Sequence, residues 1–198
     1  MATRKAGETR QTILEKAMDL ASVEGLEGLS IGRLAQQLEM SKSGVIGHFA
    51  SKEDLQLQTV EAARRRFEYA VLGEIRAEPG IAKLTALVES WIDYVAGDHF
   101  AGGCFFWAAS AEFDGRPGLV REQIAQLTER WLNTLRDEVR LAQRLGEIRG
   151  DVEPAQLAFE LHAFVQEANW AWQLLEHRDA FDRARNAVHS RLAGVATG

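Results

Sequence analysis

Three prolines are all that punctuate this 198-residue chain, and their positions constrain the fold more than any other feature. Proline locks φ and lacks the N–H that helix interiors and sheet ladders use. It is tolerated in the first turn of a helix, where that N–H has no partner anyway. Pro79, Pro117 and Pro154 each stand at or just before the start of an apolar-periodic segment. Strand signals are scarce: there is no alternating β-branched run of useful length, and no Asn-Gly or Asp-Gly hairpin between such runs. The periodicity predicts helices over roughly 80–97, 103–112, 117–145, 154–176 and 179–193.

The amino-terminal third reads as helical in shorter pieces. Ile13, Leu14, Ala17, Leu20 and Ala21 form one apolar face, and Gly25 follows as a stop signal. Ser30 is a candidate N-cap for a short helix that buries Ile31, Leu34, Ala35 and Leu38. A break at Glu39–Ser41 leads into a second short helix over roughly 42–49. Ser51-Lys52-Glu53-Asp54 then has capping-box spacing ahead of a long helix over roughly 52–77. The chain is predicted to be all-α, with about nine helices. It divides into an N-terminal three-helix helix-turn-helix head, residues 1–51, and a C-terminal helical bundle, residues 52–198.

The net charge of −6 argues against nucleic acid as a partner until its distribution is considered. Residues 1–66 hold ten Lys/Arg and nine Asp/Glu, whereas residues 67–198 hold thirteen and twenty. The five tryptophans also lie in the second part, between Trp91 and Trp172. A neutral-to-basic head is joined to an acidic, aromatic-rich body. The lone cysteine, Cys104, excludes a disulfide scaffold, and its apolar neighbours predict a buried, inert thiol. No apolar run is long enough to span a membrane, and the polar, basic start lacks a signal-peptide stretch. A reducing cytoplasm is the expected compartment.

Residues 29–49 read LSIGRLAQQLEMSKSGVIGHF. Two short helices joined by a tight turn make the helix-turn-helix pattern. Leu34, Ala35 and Leu38 of the first can pack against Val45 and Phe49 of the second. The second helix begins with Ser41, Lys42, Ser43 and Gly44, and such a helix enters the major groove with its early residues toward the base edges. Lys can donate to guanine acceptors, and Ser can donate or accept.

These residues resemble those of the tetracycline-repressor (TetR) family of transcriptional regulators. The resemblance is carried by the first helix ending in Gly25, by Gly28-Leu29-Ser30-Ile31 and Leu34-Ala35, and by Met40-Ser41-Lys42, His48-Phe49 and Ser51-Lys52-Glu53-Asp54-Leu55. It spans roughly residues 9–58; the body is similar only in size, helical character and helix count. It implies a homodimer on a near-palindromic operator in double-stranded DNA. The body would form the dimer and hold a small-molecule inducer, whose binding would move the long fourth helix and release DNA. The sequence departs from the family at Gly44-Val45-Ile46-Gly47, where Thr-Leu-Tyr is often found. The aromatic phosphate contact is missing at Ile46, and each glycine costs a short helix roughly 1 kcal/mol relative to Ala.

The candidate DNA-binding residues are therefore Ser30, Ser41, Lys42, Ser43, Gly44, Val45, Gly47, His48 and Lys52. Lys52 is included because the family places that helix end beside the DNA backbone. Arg4, Lys5 and Arg10 either add phosphate contacts from an N-terminal arm or belong to a solvated tail. Arg64-Arg65-Arg66 has Glu61 and Glu68 at helical spacing and is read as a salt-paired face.

In the body, segment 154–176 is predicted to be apolar on two sides and so buried on both. One side should face a partner subunit and the other the chain's own core or pocket; periodicity does not assign them. Candidate dimer residues are Leu157, Leu161, Phe164, Ala168, Trp172 and Leu175, with Phe181 and Val188 from the last helix. The family's inducer pocket directs attention to Trp91, Tyr94, Phe105, Phe106, Trp107, Trp131, His162, Gln166, Asn169 and Trp170, which have the mostly apolar composition of ligand sites. Their richness in tryptophan suggests an apolar or aromatic inducer. No enzyme motif is present: no G-x-S-x-G, phosphate loop or dinucleotide glycine pattern occurs. The histidines show no H-x-x-x-H pair or ligand spacing with Cys104, so neither a metal nor a cofactor is expected.

Overall fold

The computed structural model describes residues 2–73, 75–97 and 99–197, with the backbone alone over 2–6. Among these residues it holds nine α-helices: α1 (Ala2–Glu24), α2 (Ile31–Gln37), α3 (Lys42–Ile46), α4 (Lys52–Phe67), α5 (Ile81–Ala96), α6 (Phe105–Phe113), α7 (Leu119–Arg144), α8 (Pro154–Leu175) and α9 (Ala180–Val195). The only extended pairing among the described residues is an isolated bridge between Ile148 and Ala196. Two compact units emerge, one of residues 1–66 and 100–126, the other of 67–99 and 127–198.

The first unit is built on caps that the sequence announces. Gly25, at φ 85°, ends α1 with its N–H on the Ala21 carbonyl at 3.1 Å. Ser30 Oγ accepts the Arg33 N–H at 3.2 Å and starts α2. Ser41 Oγ accepts the Gly44 N–H at 3.1 Å and starts α3. Ser51 Oγ accepts the Asp54 N–H at 3.0 Å, and the Asp54 carboxylate reaches back to the Ala50 N–H at 2.9 Å. Each cap satisfies an amide that has no partner inside its helix, worth about 1 kcal/mol. Ser30→Ala is expected to lower stability by about 1 kcal/mol and Ser30→Asp to retain most of it, read from urea midpoints.

Beneath the caps, Leu34, Ala35, Val45, Phe49 and Leu55 are buried with Ile13, Leu14, Ala17, Met18, Leu26 and Leu29. This is the packing that the 29–49 pattern predicts, and it holds α2 against α3. Segment 100–126 joins this unit through α6, which packs on α1. The Glu112 carboxylate accepts the Leu26 N–H at 2.7 Å and the Glu27 N–H at 3.2 Å, tying α6 to the α1–α2 turn.

The second unit packs α5, α8 and α9 together. Leu84, Leu87, Val88, Ile92, Leu135, Val139, Leu157, Leu161, Val165, Val188 and Leu192 fill its interior. Pro154 is the first residue of α8, and Glu153 caps it by accepting the Gln156 N–H at 2.6 Å. The predicted helix 52–77 is shorter than expected. α4 ends at Phe67 and widens into a π-helical turn, Glu68–Leu72, which Gly73 closes with its N–H on the Tyr69 carbonyl at 3.2 Å. Ser90 of α5 donates its hydroxyl toward the Ala70 and Val71 carbonyls at 3.3 and 3.1 Å, a partner for that turn which lies outside the local sequence.

Candidate DNA-reading face and aromatic pocket

α3 is one turn and a half long, and the rotation of its residues decides what it presents. Lys42, Ser43, Ile46 and Gly47 are exposed, whereas Val45 is 0% exposed. Val45 is therefore a correction to the sequence-derived set. Its side chain is consumed by the core that holds α3, and it cannot reach an external ligand. Ile46 takes its place on the outer face, at 55% exposure. Lys42 has no carboxylate partner among the described residues. Its stem runs past Gly32 of α2, where an added Cβ would stand 3.5 Å from Lys42 Cε. Ser43 Oγ lies 3.1 Å from Ser41 Oγ, so the two hydroxyls share a proton position at the start of the helix. His48 is half-buried and meets Phe49 edge-on at 6.5 Å.

Around this face the other cations are already engaged. Lys52 pairs with Glu27 at 2.8 Å, and Glu27 also receives the Gln56 amide at 3.0 Å. The Lys52 and Gln56 hydrogen bonds hold the Glu27 carboxyl below its ordinary range. Both partners of the Lys52 pair are nearly half exposed, so the pair contributes little to stability and a phosphate can compete for the ammonium. Arg33 pairs with Glu24 at 2.7 Å. Arg10 donates to Gln58 and lies over the Phe49 ring at 5.9 Å, so it is seated on the head and does not float in a tail. The side chains of Arg4 and Lys5 lie outside the described residues. Two of the arginine run pair as their spacing predicts, with Arg64 bidentate to Glu61 at 2.7 and 2.8 Å and Arg65 on the same carboxylate, whereas Arg66 reaches Asp19 at 3.9 Å and lies over the Phe100 ring.

The second unit contains an aromatic cluster. Trp91 of α5 meets Trp131 of α7 edge-on at 5.3 Å and stacks on His162 of α8 at 5.1 Å. Phe67, at the end of α4, packs edge-on against both Trp131 (5.2 Å) and Tyr94 (5.4 Å), and Tyr94 stacks on His99 at 4.7 Å. Burial pushes the His162 imidazole down to about 4, so it is neutral at pH 7. The buried Trp131 Nε1–H and Gln166 Oε1 have no hydrogen-bond partner among the described residues. A buried donor and acceptor left unpaired are costly, and each offers a contact to a ligand.

Four of the ten pocket candidates, Trp91, Tyr94, Trp131 and His162, are thus brought together. Gln166 follows His162 by one turn of α8. Asn169 is buried on the same helix, and Trp170 beside it is half-buried. Phe105 and Phe106 pack in the other unit, 5.5 Å from each other and with Phe105 5.8 Å from Phe100; Trp107 belongs to that unit as well. Phe67 and His99 are members that sequence reasoning missed. Cys104 is buried in the first unit, where desolvation pushes its thiol up.

A shallow groove between α8 and α9 is lined by Phe164, Ala168, Ala171, Leu175, Ala180 and Ala184, with Glu167 and Arg183 also on its walls. Three of the dimer candidates, Phe164, Ala168 and Leu175, line it. Leu157, Leu161 and Val188 are corrections: each is 0% exposed and fills the interior of its own unit, so none presents a surface. Trp172 is half-buried, Phe181 is buried against it at 5.3 Å, and the Arg178 guanidinium lies 4.8 Å over the Trp172 ring. Phe159 and Leu174, each 64% exposed, are outward apolar residues of α8 that lie outside the predicted dimer set.

Comparison with known proteins gives a consistent picture. Residues 13–59 match the family model of bacterial regulatory proteins, tetR family, and residues 80–188 match that of the tetracyclin repressor-like C-terminal domain. The chain is 23% identical over 185 residues to the HTH-type transcriptional repressor DhaR of Mycobacterium sp. (strain GP1), covering 92% of this chain and 91% of that one. A TetR transcriptional regulator from Chloroflexus aurantiacus J-10-FL has the same fold, with a TM-score of 0.90 over 98% of both chains at 24% identity. A transcriptional regulator from Saccharomonospora viridis, solved in complex with choline, gives 0.82 over 97% of this chain and 100% of that one at 22% identity.

Proposed function

Because the chain belongs to the TetR family of transcriptional regulators, we propose that it is a ligand-responsive repressor. It binds a near-palindromic operator as a homodimer and is released by a small apolar or aromatic inducer. The observation that carries this reading is the outer face of α3, where an unpaired Lys42 stands beside Ser43 on a helix whose opposite side is locked into the head. An exposed short helix held by a packed neighbour is the geometry with which such motifs enter a major groove. Lys42 and Ser43 are assigned to base edges, and His48 and Lys52 to phosphates.

Residues 1–51 serve as the DNA-binding part and 52–198 as the effector and dimerisation part. The effector site is assigned to the cluster of Trp91, Tyr94, Trp131 and His162 with Gln166. A neutral imidazole, an indole N–H, a phenol hydroxyl and an amide oxygen are among the polar groups it offers, which suits an uncharged ligand with hydrogen-bonding groups of its own. The alanine-lined groove of α8 and α9 supports a bundle with the same helices of a second copy. No helix among the described residues is long and apolar enough to cross a membrane; the protein is assigned to the cytoplasm, where its operator lies.

The test is selection of genomic fragments by the purified full-length protein, followed by salt titration on the best fragment. The expected result is a near-palindromic site that survives competitor DNA and weakens steeply with salt. Lys42→Ala should lose about 1–3 kcal/mol of specific binding. A folded dimer that enriches no fragment overturns the reading.

A further inference from the structure

The outer face of α3 carries one feature that phosphate and hydrogen-bond chemistry leaves unexplained. Ile46 is a branched apolar side chain, 55% exposed, and it stands among Lys42, Ser43 and Gly47. It makes no contribution to the core of the head, which Val45 and Phe49 supply from the opposite side of the same short segment. Gly47 flanks it without a side chain. The chain's own packing does not require that glycine, since an added Cβ would meet only the Ser43 carbonyl at 3.5 Å. Ile46 therefore projects from an open surface beside an unpaired cation.

Resting on the DNA-binding reading above, we propose that Ile46 is a specificity-determining residue that reads the C5-methyl group of a thymine. Isoleucine has no polar atom to offer a phosphate or a base edge. In the major groove the one apolar feature that varies with sequence is the thymine methyl. Lys42 precedes Ile46 by four residues, so the two side chains lie one turn apart on the exposed face. The rise between them is about 6 Å along the helix, close to two base-pair steps of 3.4 Å. The thymine lies about two base pairs from the base that Lys42 reads, once in each half-site.

The experiment uses the full-length protein and the operator fragment it selects, with each thymine replaced in turn by deoxyuridine, which removes only the methyl. Wild type should lose about three- to tenfold in affinity at one thymine per half-site. Ile46→Ala should bind the unmodified operator more weakly by a similar factor and be indifferent to deoxyuridine at that position. Ile46→Val, which keeps a branched apolar side chain, should retain the response. Ile46 is exposed, so circular dichroism of the variants should match wild type. Specific binding with no thymine that responds, or an Ile46→Ala variant that responds as wild type does, overturns the assignment. A uniform loss across all sequences with no deoxyuridine effect also overturns it, placing Ile46 on the sugar backbone. Failure of wild type to select any fragment is a different result, and it overturns the DNA-binding reading itself.

Discussion

Gly102→Ala is expected to lower the stability of the protein by about 3 kcal/mol, and its melting temperature by roughly 6–12 °C. A Cβ added at Gly102 would lie 1.9 Å from the Ser22 carbonyl oxygen, 2.3 Å from its carbon and 2.8 Å from the Val23 nitrogen. All three atoms are backbone within α1, whose neighbouring side chains are packed in the head. No flexible side chain can give way, so the turn at Phe100–Gly103 must lift. Lifting it also stretches the hydrogen bond from the Gly102 N–H to Ser22 Oγ, now 3.1 Å. Ser22 in turn donates to the Asp19 carbonyl at 2.8 Å. The disturbance extends to α6, which begins three residues after Gly102 and whose Glu112 holds the Leu26 and Glu27 amides of the turn ahead of α2. Gly115→Ala is the control: nothing lies within 4 Å of the added atom, and the change should fall within about 0.5 kcal/mol of wild type. Urea and thermal unfolding of the two variants decide the matter, and a Gly102→Ala protein as stable as wild type removes the close approach.

That contact also marks the limit of what could be read from residues alone. Ser30, Ser41 and Ser51 were legible as caps because a cap is local: a hydroxyl and the amide three residues on. Leu34, Ala35, Val45 and Phe49 were legible as a packed pair of short helices for the same reason. The docking of residues 100–126 on the head was not legible, since Gly102 and Ser22 are eighty positions apart and neither is unusual in its own surroundings. Val45 and Ile46 show a finer failure. Val45 carries two readings in the sequence, packing against Leu34 and contact with DNA, and its 0% exposure leaves only the first, while the neighbouring Ile46 holds the outer face. α8 fails in the opposite way. It is long, but apolar residues occur on both sides, so the interior set of Leu157 and Leu161 and the groove set of Phe164, Ala168 and Leu175 fell on one predicted face. Phe67 joins the aromatic cluster from the last residue of α4, where a helical pattern gives no reason to single it out.

Acidification should weaken the protein through His162 before its carboxylates respond. The imidazole stacks on Trp91 at 5.1 Å, and burial alone pushes it down to about 4 from an ordinary value near 6.5. Above pH 6.5 the histidine is neutral in both folded and unfolded chains and contributes no pH dependence. Between pH 6.5 and about 4 the unfolded chain takes up a proton that the folded chain refuses, so stability falls as pH falls. Below about 4 both states are protonated and this slope ends. The loss is about 2 kcal/mol by pH 5 and about 3 kcal/mol once the window is crossed. Carboxylates such as Asp54, held low by the Gln58 side chain and the Ala50 amide, lose their contribution only at more acid pH. The interval from pH 7 to 5 therefore separates the two effects. His162→Gln should flatten the stability profile over that interval relative to wild type, while both proteins keep the other four histidines. The ring proton resonances of His162 should show no titration above pH 5. A midpoint near 6.5, or a variant that keeps the wild-type slope, would mean that the imidazole is open to water. In the folded protein the cluster of Trp91, Trp131 and His162 carries no charge at neutral pH. The inducer proposed for this cluster would gain from apolar contact and from the unpaired Trp131 N–H, and a protonated His162 would set a cation against that contact.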